Sequence, residues 1–315
     1  MKPYEKLLPE VIGQEKAKKK LALFHKLFLA TRTIPHLFFV APKGCGKTYM
    51  AERFAKKLPQ LGGDIHKRST TVNCSGFKKT EDIADYFAKY IGQEHTFILD
   101  ECHMLNDGPE AALLTILNPN SEKRNTLTTP DHVLNFDFRR HTFMLATTEA
   151  HKVFAPLRDR CMRVDLEDYT SDELAAIIKL NLPHAKFGSG VLRRISSVLR
   201  GNARAAQKMA NIIGDALEAD RTNKFTNKDW NSLVDDLSIY PLGLNESEMK
   251  VLRVIGKGGY FKLMEIHSQT ELSLQAIRQN LELFLMKHDL MKITTNGRVI
   301  TKEGKEYLDA LNTSK

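Results

Sequence analysis

Residues 42–48 read Pro-Lys-Gly-Cys-Gly-Lys-Thr, and these residue types at this spacing suit phosphate binding. Gly44 and Gly46 let the backbone approach a ligand closely. Lys47 can reach outer phosphate oxygens, and Thr48 can offer a hydroxyl to Mg²⁺ at the start of a helix whose dipole favours anions. The usual pattern is G-x-x-x-x-G-K-[ST]; its first glycine is Ala41 here, a change confined to the strand-to-loop turn. Further along, "TFILDE" ends an apolar run in Asp100 and Glu101. In a phosphate-loop site the first carboxylate helps hold Mg²⁺ and the second can polarise an attacking water. A third run, "FMLATT", ends in Thr147 and Thr148, either of which could orient that water or touch the outer phosphate, and it is followed by Arg158 and Arg160. An arginine pair at a domain edge can supply charge to a neighbouring subunit's transition state.

These residues need a scaffold, and the apolar pattern describes one. "HLFFVA", "TFILDE" and "HTFMLATT" are short runs rich in Phe, Leu, Val and Ile, each followed by a loop or helical pattern. They read as buried parallel strands of an α/β core over residues 1–165. From residue 166 to 238, apolar residues recur at three- and four-residue spacing, which predicts a helical lid domain. Pro241 and Gly243 then break the pattern, and Asn245 stands where an N-cap would open a new helix. Residues 239–315 offer three amphipathic helices, near Glu246–Ile255, Phe261–Gln269 and Ser273–Met286. In "LMKITTNGRVIT" the Asn296-Gly297 pair predicts a tight hairpin turn. Three helices and a hairpin make a winged-helix domain.

Composition narrows the setting. The 315 residues are 42% hydrophobic and 27% charged, an ordinary soluble balance. No run approaches a membrane span, and the amino terminus lacks a secretory core, so a cytoplasmic protein without a membrane partner is expected. The four cysteines are far apart and form no C-x-x-C pair, which predicts reduced thiols. Formal charge is +9, and residues 1–60 carry 13 Lys or Arg against 4 Asp or Glu. Such an excess favours a polyanionic partner, with a solvated basic helix as the plainer explanation.

Taken together, the motifs resemble the AAA+ ATPases, and among them the RuvB type, motors of Holliday-junction branch migration. "VIGQEKAKKKL" is similar to that family's adenine-proximal segment, "DECHML" to its D-E-I-H-R-L, and "ATTEA…APLRDRC" to its A-T-T-R-A…S-P-L-R-D-R-F. "LRGNARAAQKM" resembles R-G-T-P-R-I-A-N-R, and "LMKITTNGRVIT" resembles the wing segment F-L-Q-R-T-P-R-G-R. The resemblance implies ATP and Mg²⁺ as cofactors, held by Ile12, Gly13, Pro42, Lys43, Gly44, Cys45, Gly46, Lys47, Thr48, Tyr49 and Arg204, with Thr48 and Asp100 toward the metal. It makes Lys47, Asp100, Glu101, one of Thr147 and Thr148 as first sensor, Arg204 as second sensor and Arg160 as trans-acting finger the catalytic set. It also places Arg298 and Lys302 on the DNA backbone.

A trans-acting finger implies a homo-oligomeric ring, six subunits in this family, around duplex or four-way junction DNA. Two departures from the family's pattern stand out. "APKG" replaces its G-P-P-G opening, which bears on nucleotide affinity. "NSEKRNTLTTPD", where the family has an apolar hairpin that grips the junction-binding partner RuvA, carries Glu122, Lys123, Arg124 and Asn125 with only Leu127 apolar. Apolar anchors dominate such contacts, so this stretch argues against a RuvA-type partner. Two other functions compete: a clamp-loader ATPase, which would end in a helical collar without the hairpin, and a DNA-binding adaptor that uses ATP only as a switch.

Overall fold

The centre of the first unit is a sheet of five parallel strands. A computed structural model of the chain describes residues 3–59, 68–90, 92–118, 124–128, 133–137 and 141–313. In chain order the strands are β1 (His36–Val40), β2 (Arg68–Asn73), β3 (His95–Asp100), β4 (Arg124–Thr128), β5 (Val133–Asp137), β6 (His141–Thr147) and β7 (Cys161–Asp165). The main sheet runs β2-β3-β6-β1-β7, with β4 and β5 paired as a separate antiparallel hairpin. The three strands legible in the sequence occupy the middle of the sheet. Leu37 to Phe39, Phe97 to Leu99 and Phe143 to Ala146 are all buried, because helices cover both faces of a parallel sheet. Edge strands β2 ("RSTTVN") and β7 ("CMRVD") have no such run; Val164 alone is buried in β7.

Strand register decides where the chemistry collects. Val40 pairs with Thr147, and Asn73 with Asp100, so the carboxyl ends of β1, β2, β3 and β6 share one edge of the sheet. Open parallel sheets bind ligands at that edge. At the opposite edge, β7 begins with Cys161 beside His36, the first residue of β1.

The chain divides into two compact units, residues 1–185 with 201–223, and residues 186–200 with 224–315. The helical stretch 166–238, expected as one lid, is thus shared between them. The Ser171–Asn181 and Ala203–Ala219 helices pack together in the first unit. In the second, β8 (Lys186–Phe187) pairs with β9 (Lys224–Phe225), and Arg194 bonds Asn227 and Asn231, each at 2.8 Å.

The second unit also holds the three expected amphipathic helices. They are Glu246–Gly256, Leu263–Thr270, and a third that runs from Leu274 to Lys287 through a π turn at Ile277–Leu281. Asn245 caps the first: its side chain accepts from Glu248 N–H, and Glu248 accepts in return from Asn245 N–H, both at 2.9 Å. Met249, Leu252, Ile255, Ile266, Ile277 and Leu285 form the core.

The hairpin of β10 (Met291–Thr294) and β11 (Gly297–Ile300) is present, with its turn one residue earlier than Asn296-Gly297. Thr294 pairs with Gly297, leaving Thr295 and Asn296 as the loop. Gly297 is required for another reason: at φ 139°, a Cβ on it would stand 2.7 Å from the carbonyl oxygen of Phe261, which bridges to Arg298. Among the described residues, no helix is long and apolar enough to cross a membrane.

Candidate functional site

The loop between β1 and the Lys47–Ala55 helix takes the form its glycines allow. Gly44 and Gly46 lie at φ 86° and 84°, left-handed values that a side chain would resist. A Cβ on Gly44 would also stand 2.2 Å from Asn202 Oδ1. Gly46 caps the helix, so the first free N–H groups of the helix converge on the loop with the positive end of its dipole. Ala41 is 2% exposed at the end of β1, and its N–H donates to the carbonyl of Thr147 at 3.3 Å, so the replaced glycine leaves the strand edge intact.

Lys47 and Thr48 meet the carboxylates of β3. Lys47 Nζ, on a side chain 8% exposed, lies 2.8 Å from Glu101 Oε1 and 3.6 Å from Asp100 Oδ1. Thr48 Oγ1 donates to Asp100 Oδ2 at 2.8 Å. This set fits a Mg²⁺-triphosphate: a buried cation for the outer phosphates, a hydroxyl and carboxylate side by side for a hard metal ion, and a loop whose two glycines hold left-handed backbone angles. Glu101 is at φ 52°, the left-handed region, where the strand turns sharply and presents its carboxylate.

The two threonines of β6 separate cleanly. Thr147 is fully buried; its hydroxyl is 2.9 Å from His103 Nδ1 and accepts from Glu149 N–H at 3.0 Å. Thr148 lines the phosphate-side cleft with Lys43, Lys47, Glu101 and Arg204, its hydroxyl 3.5 Å from Glu101 Oε2.

Beside this cleft is a cavity of about 210 Å³. Gly44, Gly46, Lys47, Thr48 and Tyr49 line it together with Val11, Ile12, Ile177 and Asn181. Gly13, which is not among the lining residues, is at φ 62°, with Glu173 Oε1 2.1 Å from where its Cβ would be. Burial pushes the Tyr169 hydroxyl in the same cavity up to about 12. Cys45 turns away, its thiol 3.5 Å from Asp168 Oδ1. None of the four cysteines is in a disulfide, and burial raises the thiols of Cys74 and Cys161 to about 12, so those two remain protonated at neutral pH.

Arg204 reaches both the cavity and the cleft, and its N–H donates to Gly44 O at 3.2 Å. Asn202 was not singled out from sequence although it stands in "GNAR"; its Nδ2 donates to Lys43 O at 3.0 Å. His103 was likewise passed over inside "DECH": its Nδ1 lies 3.4 Å from Glu101 Oε2, and its Nε2 lies 3.1 Å from Glu149 Oε2.

Arg160 does not join this group. It precedes β7, at the sheet edge opposite the loop, and bonds Pro156 O at 2.8 Å and Asn118 Oδ1 at 3.4 Å. The five residues of β1 separate the two edges by roughly 16 Å. Arg298, expected on the DNA backbone, is instead held inside the second unit. Its Nε and Nη2 bond the two oxygens of Glu282 at 2.8 and 3.2 Å, and the two side chains are 14% and 2% exposed. Lys302 is 85% exposed, 3.6 Å from Glu306.

A β2-β3-β6-β1-β7 sheet carrying this loop and this carboxylate pair, with a helix that brings Arg204 to the same loop, defines a P-loop ATPase of the AAA+ class. The family described as "Holliday junction DNA helicase RuvB P-loop domain" matches residues 2–165, and "RuvB C-terminal winged helix domain" matches residues 241–309. The chain belongs to the RuvB family, and with it to the ATP-binding ATPases. A "Holliday junction branch migration complex subunit RuvB" of Pseudothermotoga lettingae is 28% identical over 96% of this chain and 88% of its own length. One from the Wolbachia of Brugia malayi is 29% identical over 96% and 92%. The solved "RuvB Holliday junction branch migration motor" of Thermotoga maritima superposes with a TM-score of 0.75 at 24% identity, over 96% of both chains, which shows the fold. The wing hairpin and its family match leave the clamp-loader alternative without support.

Proposed function

We propose that this chain is an ATP-driven DNA motor of the cytoplasm, assembled as a six-membered homo-oligomeric ring that moves the duplex arms of a Holliday junction. The observation that carries this reading is the separation of Arg160 from an otherwise complete site. Lys47, Thr48, Asp100, Glu101, Thr148 and Arg204 converge on one sheet edge, while Arg160 stands at the other, away from its own subunit's site, a placement that supports a finger acting on a neighbour.

Bound ATP supplies the phosphoryl group whose transfer to water releases the energy. Lys47 and the glycine loop hold its phosphates, Thr48 and Asp100 hold Mg²⁺, and Glu101 polarises the water. Thr148, the cleft-facing threonine, is the first sensor; Thr147 serves it by fixing His103 and the Glu149 backbone. Arg204 contacts the nucleotide in its own subunit, and Arg160 completes the adjacent one.

The relatives are named as subunits of a branch migration complex, and we extend that to a RuvA-type partner here. The polar stretch that argued against such a partner supplies only β4. Glu122 and Lys123 lie outside the described residues, and the second strand, β5, reads Val-Leu-Asn-Phe-Asp and brings Val133, Leu134 and Phe136 to the hairpin. Junction-stimulated ATP turnover by the purified protein tests the whole reading; hydrolysis indifferent to any DNA would leave the switch-type adaptor as the better account.

A further inference from the structure

The chain passes between the two compact units three times, after Ala185, after Arg200 and after Asn223. The middle passage joins a residue fixed to the winged helix to residues fixed to the phosphate loop. On the winged-helix side, the Arg200 guanidinium bonds both carboxylate oxygens of Glu248 and the carbonyl of Gly243, and it lies 3.5 Å over the Phe284 ring. Glu248 is 2% exposed and belongs to the cap of the first winged-helix helix. Phe284 is on the third helix, which Glu282 ties to the wing through Arg298. A guanidinium both forked onto a carboxylate and stacked on a ring is a rigid grip on two helices, unlike an exposed ion pair.

On the other side, Gly201 O accepts from Tyr169 N–H at 3.0 Å. Asn202 then bonds Lys43 O at 3.0 Å, and Arg204 N–H bonds Gly44 O at 3.2 Å. A single peptide bond, Arg200 to Gly201, separates the two sets of contacts. Arg200 and Gly201 are consecutive left-handed residues, at φ 55° and 69°, and a Cβ on Gly201 would stand 2.7 Å from Asp168 Cβ.

We propose that Arg200 is a positioning residue of the motor, coupling the phosphate loop to the winged helix through the taut run Arg200-Gly201-Asn202. A shift of the loop upon hydrolysis is then delivered to the DNA-binding unit instead of being absorbed by flexible chain. This rests on the motor reading above, and the signature is a loss of work per ATP with hydrolysis itself retained.

The test inserts two glycines between Arg200 and Gly201, which keeps every named side chain but slackens the passage. A second variant, Arg200→Met with Glu248→Gln, releases the grip without leaving a buried carboxylate unpaired. With the full chain, ATP turnover on a synthetic four-way junction is measured beside migration of that junction and displacement of a triplex-forming strand from duplex DNA. The expected result is turnover within about twofold of the unaltered chain and roughly tenfold less movement per ATP in both variants. Full movement per ATP in the insertion variant would place the coupling elsewhere. Equal loss of turnover and movement would reduce Arg200 to a structural role. An unaltered chain that hydrolyses ATP on junctions but moves neither substrate would remove the motor reading, and this proposal with it.

Discussion

Glu101 is held at φ 52° by the structure around it, at a cost on the order of 1–3 kcal/mol for a residue with a side chain. Such strain persists where a side chain must be aimed, and this one is aimed at Lys47 and the cleft. Glu101→Gln keeps the shape and removes the base. It is expected to lower ATP turnover by roughly 10²–10⁴ while nucleotide binding, followed by a fluorescent analogue, persists; retained turnover would assign the water to another group. The two threonines predict opposite outcomes. Thr148→Val should reduce turnover and leave the melting temperature alone, because its hydroxyl supports no buried group. Thr147→Val should destabilise the fold by about 1–3 kcal/mol, because the N–H of Glu149 and His103 Nδ1 lose a buried partner. At this scale the sequence was most readable where partners are neighbours in a motif, as in Gly44 to Thr48 and Asp100 to Glu101. Asn202 escaped because its contact with Lys43 spans 159 residues and exists only after folding. Choosing between Thr147 and Thr148 needed the strand's facing, which two adjacent identical residues do not reveal.

Among the elements, the wing shows that a fold can be legible where one residue's partner is not. The hairpin and three helices were legible from spacing, caps and turn chemistry, but the ion pair that Arg298 makes within the domain was not. Arg298 and Glu282 tie β11 to the third helix, just beyond its π turn. Arg298→Ala leaves a nearly inaccessible carboxylate unpaired and is expected to cost about 3–5 kcal/mol, read as a lowered denaturation midpoint. Replacing both residues with methionine should recover most of that loss. Loss of DNA affinity with unchanged stability would return Arg298 to the DNA surface. Lys302→Ala, at an exposed position, should instead weaken duplex binding evenly across sequences and flatten its salt dependence. Edge strands β2 and β7 were invisible for a related reason: with one flank unpaired they need no continuous apolar run, and periodicity has little to report.

For the whole molecule, the decisive relation is between copies. One sheet edge carries the nucleotide-facing groups and the other carries Arg160, so a head-to-tail arrangement brings the two into register, and closure of that arrangement gives a ring. Lys47→Ala subunits lack a working loop but keep Arg160; Arg160→Ala subunits keep the loop and lack the finger. Each alone should be inactive. Mixed in equal amounts and assembled at random, roughly a quarter of the seams pair an intact loop with an intact finger, so turnover should recover to roughly a quarter of the unaltered level if seams act independently. If Arg160 acted within its own subunit, no mixture could contain a complete site, and turnover would stay at zero at every ratio. A recovery that rises and falls with mixing ratio, peaking at equal amounts, therefore separates a shared site from a private one without any image of the assembly.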